Sequence, residues 1–174
     1  MNISSIDANT FLNLVNLTVI YLSYNKINYL DDHIFNGLVN LNLIDLCYND
    51  LTSLGTNMFR GLPSLRILFL DFNKINSLSS NLFRELTELQ SLSLDNNLLT
   101  TLNSNSFINL PLLQNLYLNN NNIASLDANV FSQVNSNNNF TIFLQGNPLA
   151  SSYYGYLCAS INCNVDIQSN CLYC

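Results

Sequence analysis

The cysteines are the residues whose type and spacing first suggest chemistry. Cys158, Cys163, Cys171 and Cys174 lie close together at the end of the 174-residue chain, with the spacing C-x4-C-x7-C-x2-C. Such a cluster forms either two disulfides, with three connectivities open, or a zinc site built from four thiolates. Zinc ribbons usually have two close cysteine pairs and this chain has one, so the spacing favours disulfides. Cys47 stands apart from the cluster, and we interpret it as an unpaired thiol.

Side chains that enzymes use for acid–base or nucleophilic catalysis are scarce and scattered. The one histidine, His33, stands beside Asp31 and Asp32, and a lone histidine in a loop is usually an ordinary solvated residue. The sequence contains no Ser/His/Asp or Cys/His set, no phosphate-binding loop and no cluster of metal-binding carboxylates. We therefore predict that the chain is not an enzyme and holds no cofactor or metal ion.

Charge and hydropathy narrow the class of partner. The chain has 11 acidic and 5 basic residues, a net charge of −6 and no cluster of Lys and Arg. This balance argues against binding to nucleic acid or to an anionic membrane surface. No apolar run approaches the roughly 20 residues of a membrane span, so we predict no membrane insertion by this segment. With 48% hydrophobic residues, the chain can bury a continuous core in one domain.

Phenylalanines recur at a fixed interval of 24 residues through most of the chain. They are Phe11, Phe35, Phe59, Phe83, Phe107 and Phe131. A fixed period of this length predicts a solenoid in which each repeat is one structural unit stacked on the next.

The residues between the phenylalanines repeat with the same period. The second unit reads Leu41-x-x-Ile44-x-Leu46-x-x-Asn49-x-Leu51. Alternation with period two predicts a short strand that directs Ile44 and Leu46 into the core, with Leu43, Asp45 and Cys47 on the other face. The asparagine slot recurs, and a carboxamide can donate and accept hydrogen bonds at once, so we predict a hydrogen-bonded ladder. The ladder residues are Asn25, Asn49, Asn73, Asn97, Asn121 and Asn147.

This pattern, L-x-x-L-x-L-x-x-N-x-L, resembles the leucine-rich repeat of the 24-residue class typical of animal extracellular proteins, such as Toll-like receptors, Slit proteins and variable lymphocyte receptors. The resemblance covers residues 3–149. It implies an α/β fold, a curved horseshoe with a parallel sheet on the concave side and short 3₁₀ or irregular segments on the convex side. We expect a solenoid over residues 1–149, with a partial first repeat, five full or near-full repeats and a last rung ending at Asn147-Pro148. Residues 150–174 would form a cysteine-containing C-terminal cap.

Both ends depart from the family pattern. The family cap usually has a tryptophan after the proline and a tight Cys-x-Cys pair, whereas this chain has Leu149 and wider spacing. Two residues are inserted before the last rung, around 135–139. Met1 falls on the asparagine slot, so the chain begins in mid-repeat. We expect a fragment, a truncated gene product or a segment of a longer receptor, the alternative being an intact but unusual short protein.

The resemblance places function on the concave face. Outward-facing aromatic and acidic residues concentrate in the first repeats, as protein-binding hot spots do. The alternative is that these side chains only pack across neighbouring strands. Our candidate ligand-binding residues are Tyr21, Tyr24, Asp45, Tyr48, Phe69, Asp71, Phe72, Asp95 and Tyr117.

We expect a secreted or cell-surface receptor module that binds a protein ligand, one with basic residues. The alternatives are a cytoplasmic leucine-rich-repeat scaffold and a non-binding receptor spacer. Sequons at Asn2, Asn16 and Asn139 are glycosylation candidates that agree with secretion.

Overall fold

The strands of successive repeats pair to form a parallel β-sheet. The computed structural model describes residues 2–127, 129–134 and 140–149 and the backbone of 164–166. In chain order the strands are β1 (Val19–Tyr21), β2 (Leu43–Asp45), β3 (Ile67–Phe69), β4 (Ser91–Ser93), β5 (Thr101–Leu102), β6 (Asn115–Tyr117), β7 (Ser125–Leu126), β8 (Thr141–Phe143) and β9 (Asn164–Asp166). The main sheet has the order β1-β2-β3-β4-β6-β8-β9, and β5 pairs with β7 in a second sheet. The predicted solenoid is therefore confirmed, and turns rather than helices connect the strands in the described residues.

Each strand presents one face to the core because its residues alternate. In β2 and the residue after it, Ile44 and Leu46 are fully buried, whereas Leu43, Asp45 and Cys47 on the other face are half-buried. This is the alternation that the sequence predicts. Each fully buried leucine or isoleucine stabilises the fold by roughly 1.5–3 kcal/mol, so the repeated pair supplies much of the driving force.

The repeated phenylalanines form a second spine on the convex side of the core. Each ring stacks on the ring of the next repeat, with centroid separations from 5.8 to 6.3 Å. Phe35, Phe59, Phe83 and Phe107 are almost completely buried. The regular stacking explains why the 24-residue period holds so strictly, since a shifted ring would break two contacts.

The asparagine slot joins each turn to the turn of the preceding rung. Asn49 Nδ2 donates to the carbonyl oxygens of Leu22 at 2.9 Å and Leu46 at 3.1 Å, while its Oδ1 accepts from the Ile27 amide at 3.0 Å. Buried backbone groups that have no strand partner are satisfied in this way. Asn73, Asn97 and Asn121 make the same set of bonds.

The ladder keeps its register across the two inserted residues, which lie outside the described part of the chain. Asn147 Oδ1 accepts from the Ile123 amide at 3.0 Å, and its Nδ2 donates to Leu118 O at 2.8 Å. The ladder therefore continues from Asn121 to Asn147 although this repeat is two residues longer.

Strand β9 is a feature that the sequence analysis missed. It pairs in parallel with β8, with Ile142 opposite Val165. Pro148 occupies the slot of Lys74, whose amide donates to Leu51 O at 2.9 Å. Proline cannot make that bond, but the bond lies beside the sheet rather than in it. The proline therefore interrupts the lateral turn without preventing another strand from joining the sheet.

Candidate binding surface on the concave face

Three columns of side chains face outward from the main sheet. The central column follows the strand register, so its members lie opposite one another in neighbouring strands: Tyr21, Asp45, Phe69, Ser93, Tyr117 and Phe143. Tyr21 is 71% exposed, and Tyr117 stacks on Phe143 with centroids 4.6 Å apart. Phe143 was not among the sequence-predicted site residues, although its place in the central column was the available signal.

The column at the end of each strand begins with three stacked rings, Tyr24, Tyr48 and Phe72, which we call the aromatic stack. Centroids are 4.4 Å apart for Tyr24 and Tyr48 and 4.1 Å for Tyr48 and Phe72, with planes nearly parallel. The three side chains remain 65%, 37% and 39% exposed. The rings cover each other's faces, so the stack presents ring edges and two phenol groups to solvent.

The backbone under the aromatic stack is in the left-handed region. The φ angles are 56° at Tyr24, 52° at Tyr48 and 51° at Phe72. The same slot carries Asn96, Asn120 and Gly146 in later rungs, again with positive φ. Asparagine and glycine suit this conformation, whereas bulky residues rarely adopt it. At Gly146 the φ angle is 71°, a conformation that glycine adopts without steric cost.

Asp45, Asp71 and Asp95, which we call the concave aspartates, lie beside the aromatic stack. Asp95 accepts from the Ser93 hydroxyl at 2.5 Å and from Asn96 Nδ2 at 2.6 Å, and Asp45 accepts from the Cys47 amide at 3.1 Å. Burial, followed by the charge of Asp95, raises the pKa of Asp71. The carboxylates therefore form a surface of negative potential. Within it, the ionised form of Asp71 is less favourable than that of an isolated aspartate.

The thiol of Cys47 lies among these carboxylates and is unsuited to nucleophilic chemistry. Burial, followed by a hydrogen bond with Asp45, raises the pKa of Cys47 to about 12. Thiols react as thiolates, so this one reacts slowly at neutral pH. Within the part of the chain that the structure describes, no group of three or more His, Cys, Asp or Glu side chains could hold a metal ion.

The structure brings most predicted site residues into one area. The eight residues from Tyr21 to Asp95 lie on the four rungs of β1 to β4. Tyr117 lies on the next rung, that of β6, opposite Phe143 of β8. His33 is on the opposite side and exposed, with its Nδ1 3.5 Å from Asp31.

The predicted glycosylation sites and the C-terminal cysteines lie away from the concave face or outside the described residues. Asn2 and Asn16 are exposed. Asn139, the four C-terminal cysteines and nearly all of the expected cap lie outside the described residues. In the described part of the chain, no helix combines the length and apolar character that crossing a bilayer requires.

Comparisons with known proteins identify the family. The family model "Leucine rich repeat" matches residues 1–51, 16–75, 40–99, 65–123 and 87–149. A leucine-rich-repeat protein of Leptospira interrogans is 26% identical over 95% of the chain, with a TM-score of 0.82. TLR13, solved as a complex with ssRNA13, is 25% identical over 91% with a TM-score of 0.76. The leucine-rich repeat domain of APL1B is 25% identical over 97% with a TM-score of 0.71.

The present chain spans 41%, 22% and 53% of the length of those three solved chains, respectively. No curated protein matches it. The matched stretches together run from residue 1 to residue 149 and repeat the pattern of strands, ladder and phenylalanine spine. The chain therefore belongs to the leucine-rich repeat family.

Proposed function

We propose that the chain is a recognition module that binds a protein ligand on its concave face. The observation that carries this proposal is the aromatic stack, together with the concave aspartates beside it. Exposed aromatic side chains on a rigid surface provide large contact area at low entropic cost, which is how binding hot spots work. The solenoid core and the asparagine ladder hold these side chains in place before any ligand arrives.

The backbone conformation of the aromatic stack argues against a purely structural role. A left-handed conformation costs a residue with a Cβ roughly 1–2 kcal/mol. A stacked aromatic pair contributes about 0.5–1.5 kcal/mol beyond its area burial. Stacking of the two pairs offsets part of the strain of three residues and area burial offsets a further part, whereas asparagine fills the same slot at lower cost in the β4 and β6 rungs. Aromatic residues at this slot are better explained by recognition than by folding.

The charge of the surface favours a ligand with basic residues. The six rungs at 19–24, 43–48, 67–72, 91–96, 115–120 and 141–146 contain the concave aspartates and neither Lys nor Arg. Cations elsewhere pair with other acids, as Lys74 does with Asp50 at 2.7 Å. A partner's Lys or Arg would neutralise carboxylates that no cation of the described chain reaches. Single-stranded RNA, with which TLR13 was solved, would be repelled by this surface.

Mutation of the aromatic stack distinguishes a ligand-binding module from a non-binding spacer. The double variant Tyr48→Asn/Phe72→Asn, screened against a panel of purified ectodomains, should lose ligands that the unmodified protein binds. Tyr29→Asn is the matched control, because Tyr29 is 65% exposed but lies off the concave face. Ligands that tolerate the double variant at unchanged affinity would refute this site. A chain that binds none of the panel, and whose stack variant merely loses stability, would be a spacer.

We further propose that the chain is part of a secreted or cell-surface receptor and has no catalytic role. The named Toll-like relative, the three sequons and the four C-terminal cysteines support this placement. The proposed cap, residues 150–174, would then hold two disulfides. Alkylation without reductant, followed by intact-mass measurement on protein secreted from eukaryotic cells, should modify Cys47 alone once the protein is unfolded. Five reactive thiols, or four released by a zinc chelator, would instead favour a cytoplasmic scaffold.

A further inference from the structure

A polar cleft on the convex side has no part in the function proposed above. It lies between the turns of two successive repeats and has a volume of about 330 Å³. A cleft of this volume holds several water molecules, so it can take more than a bare ion. Its lining consists of Thr56, Asn57, Arg60, Ser80, Asn81, Leu82, Arg84 and Glu85.

Two arginines occupy equivalent places in this arginine cleft. Arg60 follows Phe59 and Arg84 follows Phe83, so the stacked phenylalanines set the two side chains one rung apart. The same slot in the other repeats holds Leu12, Asn36, Ile108 and Ser132. The chain has only five basic residues. Two of them lie one rung apart here, where their like charges repel each other. An anion between them would remove that repulsion.

Neutralisation of the pair within the chain is incomplete. Glu85 Oε1 lies 3.3 Å from Arg60 Nε, and its Oε2 accepts from the Gly61 amide at 3.1 Å. Glu85 is the carboxylate that pairs with Arg60 among the described residues. Arg84 has no carboxylate within 4 Å among the described residues. The lining residues themselves carry two guanidinium groups and one carboxylate, that of Glu85.

Further donors border the two guanidinium groups. The hydroxyls of Thr56 and Ser80 line the cleft and make no hydrogen bond to any other described side chain or backbone group. The carboxylate of Asp32 accepts from the Asn57 amide at 2.8 Å and from Asn57 Nδ2 at 3.1 Å, and it keeps its negative charge beside the cleft. Guanidinium groups bind oxyanions through paired, charge-assisted hydrogen bonds, and hydroxyls complete such a set.

We propose that the arginine cleft binds the sulfate or phosphate group of a monoester, with Arg60 and Arg84 as the principal ligands. The cleft lies on the side opposite to the concave face, so a ligand there leaves the aromatic stack free. An acidic glycan or a phosphorylated molecule could supply the same chemistry. The inference stands independently of the protein ligand proposed for the concave face.

Titration of the whole chain with small anions tests this proposal. The probes are glucose 6-sulfate and glucose 6-phosphate at constant ionic strength, followed by amide chemical shifts in two-dimensional NMR spectra. We expect saturable shifts centred on residues 56–61 and 80–85. A preference for one of the two esters would identify the source of the group, and similar affinities would indicate recognition of the shared oxyanion.

Two charge variants should change the affinity for the anion in opposite directions. Arg84→Gln should weaken binding about tenfold or more, because a charge-assisted bond is lost. Glu85→Gln should strengthen binding several-fold, since it removes the opposing charge and keeps an acceptor for Gly61. Arg66→Gln is the control, because Arg66 faces Glu88 at 3.7 Å outside the cleft. Absence of saturable shifts, or equal weakening by Arg66→Gln and Arg84→Gln, would overturn the proposal.

Discussion

Removal of one central ladder side chain, in the variant Asn97→Ala, tests how the concave platform is held together. Asn97 is 4% exposed. Its Oδ1 accepts from the Ile75 amide at 2.9 Å, and its Nδ2 donates to the carbonyls of Leu70 at 3.0 Å and Leu94 at 3.1 Å. It also reaches the carbonyl of Asp95 at 3.2 Å. Alanine removes all four contacts at once.

The cost is smaller than four hydrogen bonds because three of the partners have a second donor. Leu70 O keeps Asn73 Nδ2, Leu94 O keeps Asn121 Nδ2, and Asp95 O keeps the Phe72 amide. The Ile75 amide alone loses its acceptor, in a buried turn. An orphaned buried donor costs about 1–3 kcal/mol, and each weakened carbonyl adds a fraction of an ordinary bond. We expect the free energy of unfolding to fall by about 2–4 kcal/mol.

Urea denaturation followed by circular dichroism measures this change. The matched control is Asn25→Ala, because Asn25 is half-buried and its partner, the Ile3 amide at 3.1 Å, is half-buried too. Water can replace the side chain there, so we expect a loss of less than about 1 kcal/mol. The denaturant slope should stay constant, since the same surface unfolds. Equal losses for the two variants would refute the argument from orphaned buried donors.

Three further predictions concern the concave face. Phe72→Asn should change the free energy of unfolding by no more than about 1 kcal/mol, because relief of left-handed strain offsets the lost stacking; a loss above 3 kcal/mol in urea denaturation would show that the stack is structural. Asp71→Asn should stabilise the protein at pH 7, because burial and Asp95 raise the pKa of Asp71. The folded state then binds its proton more tightly than the unfolded state, so wild-type stability falls as pH rises above 3.8, and the two proteins should converge below that pH. Thermal melts across this range check the sign, and Asp50→Asn, which breaks a surface ion pair, should not stabilise. Cys47, with a pKa raised from 9.0 to about 12, holds about a thousandfold less thiolate at pH 8, which its greater intrinsic nucleophilicity offsets in part. Its exchange with a small disulfide, followed by peptide mass spectrometry, should be a few tens of times slower in the folded chain than in urea, and equal rates would contradict the raised pKa.

The sequence predicted the fold because its two periodicities fix the same geometry. Alternation through Ile44 and Leu46 determined which strand residues enter the core, and the 24-residue interval determined which residues become neighbours. The outward columns followed directly from those two facts. Strand β9 was missed although the sequence Val165-x-Ile167-x-x-Asn170 repeats the pattern Ile142-x-Leu144-x-x-Asn147. The prediction ended the repeats at Asn147-Pro148 because proline lacks the amide of that slot.

Details of the candidate surface depended on how neighbouring side chains cover each other. Ser93 belongs to an outward column, yet it is only 6% exposed. Phe69 and Tyr117 flank it in the register, and a small residue between large ones is shielded from solvent. The arginine cleft was missed for a similar reason. A pattern of spacing shows that Arg60 and Arg84 are equivalent, but the cleft between them is formed by the turns of both repeats.

Residues that a repeat does not require are the strongest indicators of function in this chain. At the slot that ends each strand, the backbone favours asparagine or glycine, and Asn96, Asn120 and Gly146 comply. The first three rungs instead place aromatic rings there, against the local preference. Natural sequences depart from local consistency mainly at functional sites. The same reasoning applies to the arginines of the convex side, and both departures fall within the first four repeats. Function should therefore be sought there, while the later rungs extend the core that keeps those surfaces rigid.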